Sequence, residues 1–308
     1  MFRFRLLAAA LLLGLTTSAV AQTRPAVPNP SSDVLKTQFT ARLEDAARRV
    51  DGVVSYCVID LTSGDRFTRL DLNVQPTAST IKLAVLYELV KQAEEGRLSL
   101  DAARTVDRQK VVGGAGILNI LGTPTMSLRD FATLMIVLSD NSAANLVIDA
   151  VGLDAVTARM RALGLTSTRL RRRMMDGAAA RRGDENVSTA AEIARLLEIF
   201  ERGEGLKPQS RDEALRILKI RNDSRVSWVM KGVPETIDVA CKEGDLEGVR
   251  VDAGIVYAKN RPYIVSVMAT YLQDDAAGER AIEEISRVAY EYFSRLGAGS
   301  EYGRQLGR

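Results

Sequence analysis

Three short runs of hydroxyl, amine and amide side chains in this 308-residue chain carry the groups that could do chemistry. The first is Thr77-Ala78-Ser79-Thr80-Ile81-Lys82, placed directly ahead of an apolar stretch over 83–93 with helical spacing. Ser79 and Lys82 are three residues apart, so on a helix they share a face and set an amine beside a hydroxyl. The start of a helix favours negative charge and disfavours an ammonium, which lets a partly buried Lys82 take the hydroxyl proton. There is no histidine anywhere. A Ser/His/Asp triad, a Cys/His pair and the imidazole ligands of most catalytic zinc sites are therefore excluded, and any nucleophile needs another activator. By itself the pair also reads as an N-cap serine and a solvated lysine, because this spacing is frequent. Two further runs change that weighting: Ser139-Asp140-Asn141, between helical stretches over 133–138 and 142–150, and Lys242-Glu243-Gly244, ending a strand-like stretch.

These groups need a frame that brings together residues up to 165 positions apart. A composition of 46% hydrophobic, 26% charged and 5% aromatic residues is enough for one or two sizeable cores, and excludes a disordered chain or a disulfide-stapled miniprotein. Leu35, Phe39, Leu43, Ala46 and Ala47 recur at helical spacing over 33–50. Residues 53–61, a Thr62-Ser63-Gly64-Asp65 turn and residues 66–70 read as a hairpin. From 77 to 220 the pattern is helical, with capping boxes at Ser127 to Asp130 and Ser210 to Glu213, and glycines 96, 152, 164 and 203 closing helices. Strands follow over 236–242, 249–258 and 263–271, then an amphipathic helix over 276–296. Strands at both ends with helices between predict an α/β (α+β) fold: one antiparallel sheet flanked by terminal helices, with an inserted helical domain. The expected division is 33–76 with 221–308 as the α/β domain and 77–220 as an all-helical domain, the active site lying at their interface.

With these motifs in this order, the chain resembles the class A β-lactamase and penicillin-binding family, defined by S-x-x-K, S-D-N and K-T-G sets. The resemblance covers nearly all of 33–297 and is most specific over 127–149, SLRDFATLMIVLSDNSAANLVID, and 248–257, GVRVDAGIVY. It implies that Ser79 is the acyl-accepting nucleophile, Lys82 its proton-transfer partner and Ser139 a relay toward the leaving amine. It also implies that Asn141 holds Lys82 and the substrate amide, and that Lys242 supplies positive potential for a substrate carboxylate. Gly244 completes the third motif, and the backbone N–H groups of Ser79 and Asp245 would form the oxyanion hole.

Two departures from the family pattern stand out. Its hydrolysing members carry E-x-x-L-N in a long loop, where Glu activates the deacylating water. The matching stretch here, residues 172–180, has neither that Glu nor that Asn. Asp176 is the only carboxylate within it and the best substitute base, with Glu185 behind it; a loop acid paired with Arg172 or Arg173 is the equally open alternative. The second departure is Glu243, where the family has a hydroxyl for the substrate carboxylate. An ionised Glu243 about 4 Å from that carboxylate would repel it by roughly 4 kcal/mol at an effective dielectric near 20. The repulsion vanishes if Glu243 turns away or is neutralised by Lys242 or Arg250. Arg250 is also a candidate second cation for the substrate carboxylate, against an ordinary strand arginine.

Arg3 and Arg5, an apolar run over 6–15 and Ala19-Val20-Ala21 read as a secretory signal cleaved near Ala21, with an extended leader over 22–32. The expectation is a periplasmic or secreted monomer without stable membrane insertion. Removing those two arginines from 42 basic against 39 acidic residues leaves 40 against 39, too small a field to argue for nucleic acid. The arginines at 169, 171, 172, 173, 181 and 182 read as a solvated loop, a polyanion or membrane-surface contact being the sharper alternative. Cys57 and Cys241 sit in apolar runs and read as unpaired core residues, although export permits a bridge. No cofactor or metal is implied. The expected activity is an exported serine hydrolase that opens a β-lactam amide through a Ser79 acyl-enzyme, with slow deacylation. The alternatives are a penicillin-binding peptidase or esterase acting on a peptidoglycan-like peptide, and a non-catalytic binding domain.

Overall fold

The computed structural model describes residues 30–222, 227–300 and 302–306. The expected signal over 1–21 and most of the leader lie outside the described residues. Helix α1 (Pro30–Arg48) begins three residues before 33, so the end of the expected leader is helical rather than extended. It leads into β1 (Val53–Asp60), β2 (Arg66–Arg69) and the short β3 (Gln75–Pro76). A 3₁₀ turn over Ala78–Ile81 then runs directly into α2 (Lys82–Glu94).

The next segment is not all-helical as expected. β4 (Ala103–Thr105) and β5 (Thr125–Ser127) pair antiparallel, their Thr105 and Thr125 hydroxyls 2.7 Å apart. These strands span three residues each and β4 is wholly exposed, so no alternation of apolar residues announces them. After α3 (Leu128–Val137), α4 (Asn141–Val151), α5 (Leu153–Ala162) and the single-turn α6 (Gly177–Arg181), β6 (Val187–Ser188) pairs with β3. The segment ends with α7 (Ala190–Arg202) and α8 (Pro208–Leu218). Ser127 and Asp130 form the expected capping box on α3. The run from Ser210 to Glu213 does not cap, because α8 starts earlier, with Pro208 in its first turn. Gly203 closes α7 at φ +66°, where a side chain would be strained.

The chain then forms α9 (Trp228–Lys231), β7 (Val239–Leu246), β8 (Val249–Val256), β9 (Tyr263–Thr270) and α10 (Asp275–Gly297). Five strands make one antiparallel sheet in the order β2-β1-β9-β8-β7, which leaves β7 at an edge. Both faces are covered, which is why β9, YIVSVMAT, is buried throughout and shows little polar alternation. On one face Phe39 and Leu43 of α1 and Ile282, Ile285 and Phe293 of α10 pack on Val54, Val58, Val239 and Val267. On the other, Ile59, Val251, Ala253 and Ile255 share a core with α2, α3, α4, α7 and α8. The inserted helices therefore take the sheet as one wall of their core, and at the seam between them the turn that carries Ser79 meets β7.

Cys57 and Cys241 are both buried and free, on opposite faces of the sheet. Their strands are three strand spacings apart, roughly 14 Å, beyond disulfide range. Burial pushes the Cys57 thiol up to about 12, so it is an inert core group. A reducing agent is expected to leave the melting temperature unchanged. Cys57→Ala should lower it by about 2–4 °C, the effect of roughly 1 kcal/mol of lost packing; a collapse on reduction alone would contradict this arrangement.

Candidate active site

The Ser79 turn is built by strained backbone and remote hydrogen bonds. Ala78 has φ +46°, uncommon for a residue with a Cβ. Thr77 does not cap the turn with its side chain. Its N–H and Oγ1 both donate to the Asn186 carbonyl, at 3.0 and 3.1 Å. The Asn186 side chain in turn accepts at Oδ1 from the N–H groups of Arg171 and Arg172 at 2.8 and 3.0 Å, so one residue ties the 165–189 loop to the residue before the Ser79 turn. From the other side β7 closes in at Gly244, where a Cβ would lie 2.6 Å from Ser79 N and 2.9 Å from Thr77 O. Only a glycine fits against those backbone atoms. Gly244→Ala must displace the turn, and it is expected to slow reaction at Ser79 by about 10²-fold or more, since a shift of about 1 Å at reacting atoms costs that much. Rates of labelling at Ser79 in the two proteins check this.

Lys82 is fully buried, not the solvated lysine that its spacing also allowed. Its Nζ lies 3.1 Å from Ser79 Oγ, 3.1 Å from Ser139 Oγ, 2.7 Å from Ser139 O and 3.0 Å from Asn141 Oδ1. Two of these oxygens are hydroxyls and two are carbonyls. Ser139 reaches this point because the chain reverses between α3 and α4 at φ +52°. Asp140 holds that reversal by capping α4 at Ala143 N (2.9 Å) and accepting from Ile117 and Leu118 N–H at 2.7 and 2.9 Å. Asn141 Nδ2 donates to Gly113 O at 3.2 Å. The run from Ser139 to Asn141 thus contributes a hydroxyl, a loop clamp and an amide in consecutive residues.

Lys242 is also fully buried, and its Nζ meets Glu243 O at 2.8 Å and Glu243 Oε1 at 3.0 Å. Glu243 is therefore ion-paired with Lys242, one of the arrangements left open by the sequence. Arg250 is not brought to the cluster. Its guanidinium pairs with Asp275 (3.0 Å) and Glu279 (2.8 Å) of α10, because β8 directs it to the α10 side of the sheet.

Ser79 opens into a cavity of about 310 Å³ that Asn141, Asp245 and Leu246 line on one side and the 172–186 loop on the other. The loop wall combines Met174, Met175, Gly177 and Ala180 with Arg172, Asn186 and the carboxylates Asp176 and Glu185. Asp176 is exposed and caps α6 through Ala179 N at 2.9 Å. Glu185 pairs with Arg172 at 2.8 Å and Arg173 with Asp149 at 2.6 Å, so the acid-to-arginine pairing anticipated for Asp176 falls to its neighbours. Met174 is pinned by Asn145, which accepts from its N–H at 2.8 Å and donates to its carbonyl at 3.1 Å. Asn145 and Asn186 went unnoticed in the sequence. The signal for Asn145 was its place one helical turn after Asn141; Asn186 had none. A larger cavity of about 430 Å³, lined by Val106, Lys110 and Leu146, contains none of the groups around Ser79.

A family model described as "Beta-lactamase enzyme family" matches residues 37–293 of this chain. The chain belongs to that family. It is similar to β-lactamase L2 of Stenotrophomonas maltophilia, 29% identical over 291 residues that cover 92% of this chain and 93% of the relative. Among solved structures it is similar to an ancestral class A β-lactamase, with TM-score 0.76 and 27% identity over 83% of this chain and 100% of the other. PBP-A matches as well, with TM-score 0.76 and 27% identity over 84% of this chain and 97% of the other; a mutant of PBP-A was solved as an acyl-enzyme complex with penicillin G. This family member has a class A β-lactamase-like fold, with the antiparallel sheet flanked by terminal helices that the sequence predicts. Among the described residues no helix is long and apolar enough to cross a membrane, and no group of His, Cys, Asp or Glu could hold a metal ion.

Proposed function

We propose that this protein is a serine hydrolase that attacks a β-lactam amide with Ser79, forms an acyl-enzyme and releases it slowly. The observation that carries this reading is the placement of Lys82 Nζ within 3.1 Å of both the Ser79 and Ser139 hydroxyls. A neutral lysine amine has two protons and one lone pair. The Ser139 and Asn141 carbonyl oxygens, at 2.7 and 3.0 Å, can only accept, so they take the two protons and leave the lone pair to a hydroxyl. Lys82 then removes the Ser79 proton as Ser79 Oγ bonds to the lactam carbonyl carbon. The ring C–N bond breaks, and the proton passes through Ser139 to the departing nitrogen. The N–H groups of Ser79 and Asp245 stabilise the oxyanion, at about 3–4 kcal/mol per donor in measured cases.

Hydrolysis of the ester requires a base to take a proton from water. Asp176 is the candidate in the cavity, although one of its oxygens already caps α6. Lys242 supplies the cation for a substrate carboxylate, with Glu243 offsetting part of its charge. The substrate is a small β-lactam or a peptidoglycan-like peptide, and the protein acts as a monomer after export. Arg250 has no part in this reading.

A second reading, a penicillin-binding protein that acylates and stays acylated, is favoured by the engagement of both carboxylates of the loop wall, Asp176 in capping α6 and Glu185 in pairing with Arg172, and by the likeness to PBP-A. A non-catalytic binding domain would leave Ser79 unmodified. Mass spectrometry of the protein over time with a penicillin, run beside hydrolysis of a chromogenic cephalosporin, separates the three. A transient adduct with turnover supports a hydrolase, a lasting adduct the second reading, and no adduct a binding domain.

A further inference from the structure

Behind the Lys242 strand lies a carboxyl group that the mechanism does not use. Asp252 on β8 is fully buried and stands directly opposite Glu243 in the β7–β8 pairing. Residues opposite one another in an antiparallel pair start on the same face with Cβ atoms about 5 Å apart. Two buried carboxylates so placed cannot both ionise without large repulsion. Glu243 has a cation at 3.0 Å in Lys242. Among the described residues Asp252 has only neutral donors, Ser227 Oγ at 2.7 Å and Val229 N at 3.0 Å, and both reach the same oxygen. Its other oxygen, Oδ1, is buried with no hydrogen-bond partner among the described residues.

We propose that Asp252 is a positioning residue for Lys242: a carboxyl group held protonated behind the edge strand, whose ionisation acts on the cleft through Glu243. Burial pushes the Asp252 carboxyl up to about 7, and the facing Glu243 charge adds to the rise against the pull of the two donors and of the Lys242 charge. The surrounding groups leave that exchange to β7. The Cys241 thiol is pushed far up and stays neutral. Across on β9 stands Val267, and α10 brings Ile282 and Ile285 to this core. Arg250, two residues along β8, is held by Asp275 and Glu279. Below the midpoint Lys242 faces one carboxylate. Above it a second negative charge stands behind Glu243, and the positive potential that Lys242 projects into the cleft falls.

This inference rests on the acylation reading for its consequence but not for its first measurement. With ¹³C in the side-chain carboxyls, a pH titration of the unmodified protein should show Asp252 changing near neutrality and the Glu243 resonance moving with the same midpoint. Asp252→Asn, which keeps the size and stays neutral, should remove that step from Glu243. An Asp252 midpoint in the ordinary carboxylate range, or a Glu243 signal blind to it, overturns the proposal, and this holds even if the variant fails to fold. In the second measurement, acylation by penicillin should fall roughly tenfold from one to two pH units below the midpoint to the same distance above it, and stay level in Asp252→Asn. The same fall in both proteins would also overturn it. Absence of an adduct at every pH would defeat the Ser79 reading alone, with the titration still deciding the role of Asp252.

Discussion

Ser79→Ala protein is expected to form no covalent adduct with a penicillin at any time or concentration, and Lys82→Ala to form it about 10²- to 10⁴-fold more slowly than the parent. The two effects differ in kind. In the proposed mechanism Ser79 provides the oxygen that becomes the ester, so its loss removes the product, whereas Lys82 provides a proton path, which water can replace poorly. Removing Lys82 also leaves Ser139 Oγ and Asn141 Oδ1 without the nitrogen that they share with Ser79. Part of its cost will therefore appear as lower stability, and melting curves measured alongside the adduct rates separate the two. An adduct of undiminished yield on Ser79→Ala protein would show that another residue is the acyl acceptor.

Turnover by the parent should show a burst of one equivalent followed by a weak steady state, with the acyl-enzyme visible by mass. Acylation draws on groups that the structure brings together, whereas deacylation needs a base opposite the ester. There the wall offers two carboxylates, of which Asp176 caps α6 and Glu185 is paired with Arg172. A well-placed general base contributes typically about 10²- to 10⁴-fold, which sets the expected gap between burst and steady state. Asp176→Asn is an informative variant because asparagine caps a helix about as well as aspartate. It should leave α6 and the burst intact, so any further slowing of the steady state measures Asp176 as a base. Met174→Glu is the reverse test. Asn145 pins the Met174 backbone and its side chain lines the cavity, so a carboxylate there should raise the steady state without changing the burst. Fast turnover with no burst, indifferent to these changes, would mean that a group elsewhere activates the water.

Much of the fold was legible in the sequence because its signals are local. The run of β9 between a turn and an amphipathic helix, the Ser127–Asp130 cap and the glycine after α7 each report a backbone state from neighbours a few residues away. The missed β4–β5 pair and the early start of α8 belong to exposed segments, where few apolar residues are present to mark a period. The absence of histidine excluded imidazole activation, and the Ser79–Lys82 spacing offered an amine-activated serine beside an N-cap serine with a solvated lysine.

Sequence alone determined which groups were available and in what order, but not what each of them faces. Glu243 could have turned away, met Arg250 or met Lys242. Position on the edge strand of a five-stranded sheet lets it meet Lys242, while the pairing of β7 with β8 sets it opposite Asp252. Arg250 looked eligible by its distance along the chain, yet it lies on the side covered by α10. Asp176 was the one carboxylate in its stretch, and a single turn of helix gave it an N–H to cap. Asn186, without a motif of its own, couples the loop to the Ser79 turn. In every case the deciding partner comes from another element, brought near by strand register and helix packing. Periodicity and composition describe neighbours along the chain, whereas the charge state and aim of a catalytic group depend on neighbours in space.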